Sequence, residues 1–360
     1  MTRDKTLDVL KGLGCLLMIV AHSSLNLNGY DRFKFWGGLA PALFYAAAGA
    51  AAAFQAKKYQ PRGVLLNYAL LALIGFSFNR ITDPDFLQEP EFDIIQIIAV
   101  GASAVYLLER RYKPKTWLYL ALGFLAFALK FILQASFKNV SIVGVTNFLF
   151  PPGIFPIFPW LFLFFFGMFA YHADNRINLA LALLFAALLF ALTQLHISLD
   201  LENKWDMSLG YFLACNILIF AAFFLLRAAA PLIQSAPAGL LNFLGKNSLL
   251  FLYVHFPLIL YLKEIRIHRT APIIFQHPFL FWILALALTL PLMALLLRLV
   301  TLPILQRIFS YGQTWFAWVG LVFATGLLLP NPAAVYAVEI ALGATAALFY
   351  PLMGKLFKRE

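Results

Sequence analysis

Apolar windows of about 20 residues recur along the chain, cut by charged or Pro/Gly-rich clusters, as helices that cross a bilayer require. They fall at 7–26, 36–55, 63–79, 92–108, 116–135, 157–173, 178–196, 209–227, 248–263, 279–299, 312–329 and 333–353. The pattern predicts an all-α polytopic membrane bundle of eleven or twelve transmembrane helices. Only Pro330, Asn331 and Pro332 separate the last two windows. Residues 136–156 contain Pro151, Pro152 and Pro156, which argues against a regular helix there. Such a segment can dip into the membrane only where protein or water satisfies its backbone. No soluble domain and no repeat is visible.

Polar positions inside these windows carry the interest. The first reads L-D-V-L-K-G-L-G-C-L-L-M-I-V-A-H-S-S, with Lys11 near its start and His22 near its end. At ~1.5 Å per residue they stand roughly 16 Å apart, and the spacing is close to three turns, so they share a face. Ionisable groups at membrane depth are costly and usually face a protein interior or a watery cavity. His22 reads either as a packing and hydrogen-bonding residue or as a base, since imidazole exchanges a proton near neutrality. The polar run Ser23, Ser24, Asn26 and Asn28 that follows favours the second reading. Asp8 and Lys11, one turn apart, can pair. Lys11 is either an anchor snorkelling to the interface or a cation for an anionic cofactor.

Composition narrows the class. Hydrophobic residues make up 62% of the chain and charged residues 12%, half the usual charged share, too few to cover a water-facing surface. The net charge of +11 follows from basic cytoplasmic loops and implies no nucleic-acid partner. With the N-terminus inside, most Lys and Arg fall on one side, including Lys57, Lys58 and Arg62, then Arg110, Arg111, Lys113 and Lys115. This predicts a multi-pass protein of the cytoplasmic (inner) membrane with both termini cytoplasmic. The N-terminal apolar run lacks a small-residue cleavage site and reads as a retained first span. Cys15 and Cys215 lie in windows without metal-like spacing and read as core; no metal is expected.

A second constellation is L-G-K-N-S-L-L-F-L-Y-V-H-F-P. Asn247 or Ser248 reads as a helix cap, with Tyr253 and His255 deeper. Pro257 removes a backbone donor, and His255 is either functional or satisfies the freed carbonyl. Asp93 reads as a cap, Gln96 one turn on points an amide into the bundle, and Arg80 pairs with Asp93 or binds an anion. Lys130 and Glu339 are also intramembrane, either as pathway residues or as a mutual ion pair. The clusters Asp83, Asp85, Glu89, Glu91 and Asp200, Glu202, Asp206 read as solvated loops or as acceptor-binding groups. Phosphate-binding Gly loops, zinc spacings, Gly-x-Ser-x-Gly and nucleic-acid modules are absent.

The first window resembles the opening of the transmembrane acyltransferase superfamily, which includes acyltransferase-3 proteins and heparan-alpha-glucosaminide N-acetyltransferase-like membrane proteins. That opening has an Asp, an Arg-Gly three residues on, a Met, and a His eleven residues after the Arg. Here these are Asp8, Lys11-Gly12, Met18 and His22. Lys for Arg keeps the charge and loses the planar fork. L-F-Y-A-A-A-G, D-I-I-Q-I-I-A-V-G, F-P-I-F-P-W-L-F-L-F-F-F-G-M and the His255 segment resemble later family motifs in order, over roughly residues 4–265.

The resemblance implies an acyltransferase-like core over 1–265, with 266–360 adding helices to the same bundle. It implies O- or N-acyl transfer from cytoplasmic acyl-CoA, acetyl-CoA foremost, to an extracytoplasmic carbohydrate or glycolipid acceptor, and it admits a homo-oligomer. His22 would be the base or acyl relay and His255 a catalytic partner. Lys11, Asn247, Ser248 and Tyr253 would meet the donor, and Gln96, Asp93, Arg80 and Trp160 would shape the acceptor side. The N-acetylglucosaminide branch uses a His in the loop after the first helix, and this chain has none between Ser23 and Trp36. A proton-coupled transporter or lipid-carrier permease is the rival reading, since buried His and Lys also serve proton-coupled transport. An inactive relative is the third.

Overall fold

The computed structural model describes residues 4–23, 30–83, 90–137, 145–235, 239–265, 267, 271–329 and 331–357. Among them there is no strand. The helices are α1 Lys5–His22, α2 Asp31–Gly38, α3 Ala40–Lys58, α4 Pro61–Thr82, α5 Ile94–Tyr112, α6 Thr116–Ser136, α7 Thr146–Leu149, α8 Ile157–His172, α9 Asn175–Gln194, α10 Leu209–Ala228, α11 Ala230–Ser235, α12 Gly239–Lys246 and α13 Ser248–Glu264. After them come α14 Pro272–Gln276, α15 Pro278–Leu299, α16 Pro303–Phe309, α17 Gly312–Leu328 and α18 Pro332–Phe357.

A helix stands in each of the twelve windows. Among the described residues, seven stretches are long and apolar enough to cross a membrane by themselves, and α12 with α13 pass together as a pair bent by 93°. The protein is a multi-pass membrane bundle. Windows outside that set hold helices that are short, such as α8, or charged, such as α1 with Asp8 and Lys11. The first helix ends at His22, four residues before the predicted limit, and the second window splits at Leu39 into α2 and α3. Ser24, Asn26, Asn28, Asp85 and Glu89 lie outside the described residues. In the proline-rich stretch, α7 is four residues long, and the turn after it is tied to the segment just before α5 by the Ile154 amide, which donates to Glu91 Oε2 at 2.8 Å.

α8 is the central post, buried from Pro159 through Ala170. α3, α5 and α6 pack around it, α4 joins α5 to α18, and α13 packs on α15 and α18. Polar contacts fix the running directions. Asp4 caps α1 by accepting from the Thr6 amide and also accepts from Tyr171 Oη at the end of α8, both at 2.8 Å. At that same end Tyr106 Oη donates to the Tyr59 carbonyl at 2.9 Å. At the opposite end Thr82 Oγ1 donates to Asp93 Oδ2 at 3.2 Å. The two ends are called here the Lys11 end and the His22 end, after the residues of α1.

α12 crosses α1 in backbone contact. A Cβ on Gly12 would stand 2.1 Å from the Leu241 carbonyl oxygen, and one on Gly245 would stand 1.7 Å from that of Asp8. The chain then turns at Asn247 and α13 runs beside α1. Gly245→Ala should therefore overpack this crossing and cost about 1–3 kcal/mol, read as a lower Tm of the detergent-solubilised protein. Gly239→Ala, whose Cβ meets nothing within 4 Å, should leave Tm at or above the wild-type value.

Candidate active site

Lys11, Met18 and His22 form one stripe on α1, seven and then four residues apart. The first two line a cavity of about 570 Å³ among α1, α3, α4, α5, α13 and α18. The polarity of this cavity is graded. At the Lys11 end its wall includes Asp4, Asp8, Lys11, Gln55, Lys58 and Tyr59; at the far end it is Met18, Phe44, Ile94, Ile95 and Leu252. Phe44 and Lys58 mark its two ends on α3, about 21 Å apart at 1.5 Å per residue. The polar wall is internally paired: Lys11 Nζ lies 3.3 Å from Asp8 Oδ1, and Gln55 Nε2 donates to Tyr68 Oη at 2.9 Å. Ser248 lines the same cavity.

Four residues past Met18 is His22, and α13 brings His255 against it. The distance from His22 Nδ1 to His255 Nε2 is 2.9 Å, and the rings stack with centroids 5.0 Å apart. His255 Nδ1 lies 2.6 Å from the Phe251 carbonyl oxygen. A carbonyl only accepts, so His255 carries its proton on Nδ1. With both rings neutral, His255 Nε2 is then a lone pair and accepts from His22 Nδ1–H, which leaves the lone pair of His22 on Nε2. His255 is fully buried and His22 partly open. The edge of Phe256 against His22, centroids 4.8 Å apart, fixes the outer ring further. The Phe251 carbonyl is not the one freed by Pro257, which by helix geometry is that of Tyr253. The contact with His255 is thus not a repair of the proline break.

The other candidate residues do not line this cavity. Asn247 occupies the cap position of α13 without a side-chain cap bond; its amide donates back to the Phe243 carbonyl at 2.9 Å. Tyr253 faces α4, where its hydroxyl meets Ser77 Oγ at 2.7 Å. Asp93 and Gln96 form a capping box at the start of α5, and Gln96 Nε2 also reaches Asn79. Arg80 is in electrostatic reach of Glu339, whose two buried carboxyl oxygens have no hydrogen-bond partner among the described residues. Trp160 is buried among Tyr45, Phe155 and Tyr211. Lys130 pairs with Asp206, not Glu339, at 3.3 Å, and also donates to the Asp206 and Met207 carbonyls. Cys15 and Cys215 are buried thiols. Among the described residues no three His, Cys, Asp or Glu side chains gather as a metal site would need.

Sequence reasoning passed over Lys58, Gln55, Phe44 and Leu252 on the cavity wall. Their signal was weak, since a Lys at a helix end reads as an interface anchor and a Phe or Leu among many reads as packing. In the loop between α9 and α10, where the sequence singled out Asp200, Glu202 and Asp206, it passed over Lys204. This loop reaches over the His22 end: Lys34 pairs with Glu202 at 3.2 Å and Lys204 Nζ sits 4.0 Å from the Trp205 ring centroid, while at the start of α10 Tyr211 Oη donates to the Gly38 carbonyl at 2.6 Å.

Burial pushes the Lys204 ammonium down from its ordinary 10.5 to about 8, although Asp93 pulls the other way. Between those two values the unfolded chain holds a proton that the native protein has released, so stability rises with pH across that window. Lys204→Met should remove this increment. The expected result is a flatter dependence of Tm on pH between pH 8 and 10 than in wild type.

Residues 3–180 match the family model described as heparan-alpha-glucosaminide N-acetyltransferase, catalytic. No curated protein and no solved structure matches the chain. The matched span runs from α1 into α9 and carries Lys11, Met18, His22, Phe44 and Lys58. α13, with Ser248 and His255, lies beyond it.

Proposed function

We propose that this chain, which belongs to the heparan-alpha-glucosaminide N-acetyltransferase-like family of membrane acyltransferases, moves an acetyl group from acetyl-CoA on the cytoplasmic side to a sugar hydroxyl or amine on the far side. The observation that carries this reading is the graded cavity, polar and basic at its Lys11 end, apolar along its length, and ending one turn short of a histidine whose Nε2 is a lone pair. A donor with a phosphate-bearing head and a slender thioester arm matches that gradient. Lys11 and Lys58 meet the phosphates, the arm lies along α3, and the thioester carbonyl approaches His22. The basic loops at the Lys11 end, which carry Lys57, Lys58, Arg62, Arg110 and Arg111, support a cytoplasmic side for that end.

In this arrangement His22 is the general base. The acceptor O–H or N–H adds to the thioester carbonyl as Nε2 takes its proton. The tetrahedral adduct then breaks its C–S bond, the electron pair leaves with sulfur, and the thiolate collects a proton to depart as CoA. His255 is a positioning residue: anchored on the Phe251 carbonyl, it holds the Nδ1–H of His22 and keeps Nε2 as the reacting atom. Positioned general bases contribute typically 10²–10⁴-fold. The proton that His22 takes from the acceptor passes to the sulfur and leaves with CoA in exchange for the acetyl group, so O-acetyl transfer draws no free proton from either side of the membrane.

The test uses the purified protein in detergent. CoA at about 100 times its Kd should raise stability by about 2.7 kcal/mol, seen as a higher Tm, and Lys11→Gln should weaken that protection. His22→Ala should keep the protection and lose about 10²–10⁴-fold in acetyl transfer to cell-envelope glycans, read as the acetyl mass gained in mass spectrometry. Absence of any protection by CoA would overturn the reading. Solute flux that needs no acyl donor would point to transport instead.

A further inference from the structure

The bore of the cavity changes where the chemistry would begin. Along α3 its wall is Ala47, Ala48 and Ala51, and one turn nearer the His22 end it is Phe44. The Phe44 ring lies over α1 at Gly14, where a Cβ would stand 2.8 Å from a ring carbon. Met18 is the next residue along that strip of α1, one turn beyond Gly14 and one turn short of His22. Leu252, one turn before His255 and Phe256 on α13, and Ile95 on α5 complete the constriction. All four side chains are nearly closed off, Met18 at 4% and Phe44 at 6% exposed. Small alanines thus give way to a ring and a thioether just before the histidine pair.

We propose that Met18 and Phe44 form an acyl-size filter, which lets a two-carbon thioester reach His22 and turns away chains of four carbons or more. This rests on the donor reading given above. The unbranched thioether of Met18 has rotamer freedom enough to swing aside for a slender arm, whereas the Phe44 ring is backed by the helix at Gly14 and holds its place. Methylenes beyond the acetyl group must then press into this constriction, where each one costs roughly 10- to 200-fold in discrimination. Met18→Ala removes the flexible wall and leaves space of about the size of the two extra methylenes of a butyryl group.

Purified wild type, Met18→Ala and Phe44→Leu are compared for heat protection by CoA, acetyl-CoA, butyryl-CoA and hexanoyl-CoA, titrated to give apparent Kd values. Both variants are first checked for monodisperse elution, and Phe44→Leu, the milder change, carries the test where Met18→Ala does not fold. Wild type is expected to bind butyryl-CoA at least about tenfold more weakly than acetyl-CoA. Either variant should shrink that ratio to about threefold or less. If CoA and acetyl-CoA protect but the ratio is near one in wild type, or is unchanged in both variants, the filter is overturned and the donor reading stands. If neither CoA nor any acyl-CoA protects wild type, the donor reading falls and the filter falls with it.

Discussion

The contact on which the site depends is the backbone crossing of α1 and α12 at Gly12 and Gly245. A side chain at either position would hold the helices apart. Because none is there, α12 lies against α1, and the 93° bend at Asn247 sends α13 up along the same helix. That path carries Ser248 to the cavity wall and His255 to His22. The loss of a few ångströms at this crossing would separate two rings that meet at 2.9 Å.

The pairing of the two histidines has a simple physical logic. A lone imidazole among apolar side chains leaves at least one ring nitrogen unsatisfied, which is expensive away from water. Here the inner ring spends both nitrogens, on the Phe251 carbonyl and on His22, and the outer ring spends one. The remaining lone pair is the reactive one. The match to the N-acetyltransferase catalytic family covers α1 but ends before α13, and the branch's loop histidine is missing from this sequence. Geometry, not the family match, is therefore what supports His255.

Most of the other buried polar groups have structural work. Asp93 and Gln96 close the start of α5, and Lys130 ties α6 to the loop before α10 through Asp206. At membrane depth an unsatisfied polar group is costly, so helices that carry such residues are pinned to one arrangement. Glu339 is different, with both carboxyl oxygens buried and no hydrogen-bond partner for either among the described residues. Arg80 on α4 lies in its electrostatic reach and lowers that cost only in part, since burial outweighs the attraction.

Much of the helix layout was legible in the sequence, because lipid demands long apolar windows and the period of a helix is fixed. The spacing of Lys11 and His22 placed them on one face for the same reason. The short α2 and α12 were not legible, since each is an eight-residue helix whose place depends on what it packs against. Nor were the roles of Lys58, Phe44 and Leu252 visible, because a cavity wall is assembled from helices far apart in the chain. Gln96 and Tyr253 show the converse: their types suggested a site, and tertiary contacts with Asn79 and Ser77 turned them away from the cavity. What the sequence determined by itself was therefore local: which stretches cross, and which residues of one helix share a stripe. Which stripes face each other, and so which polar groups meet over a cavity, was decided by packing between helices, where glycines and a bend set distances that no local pattern encodes.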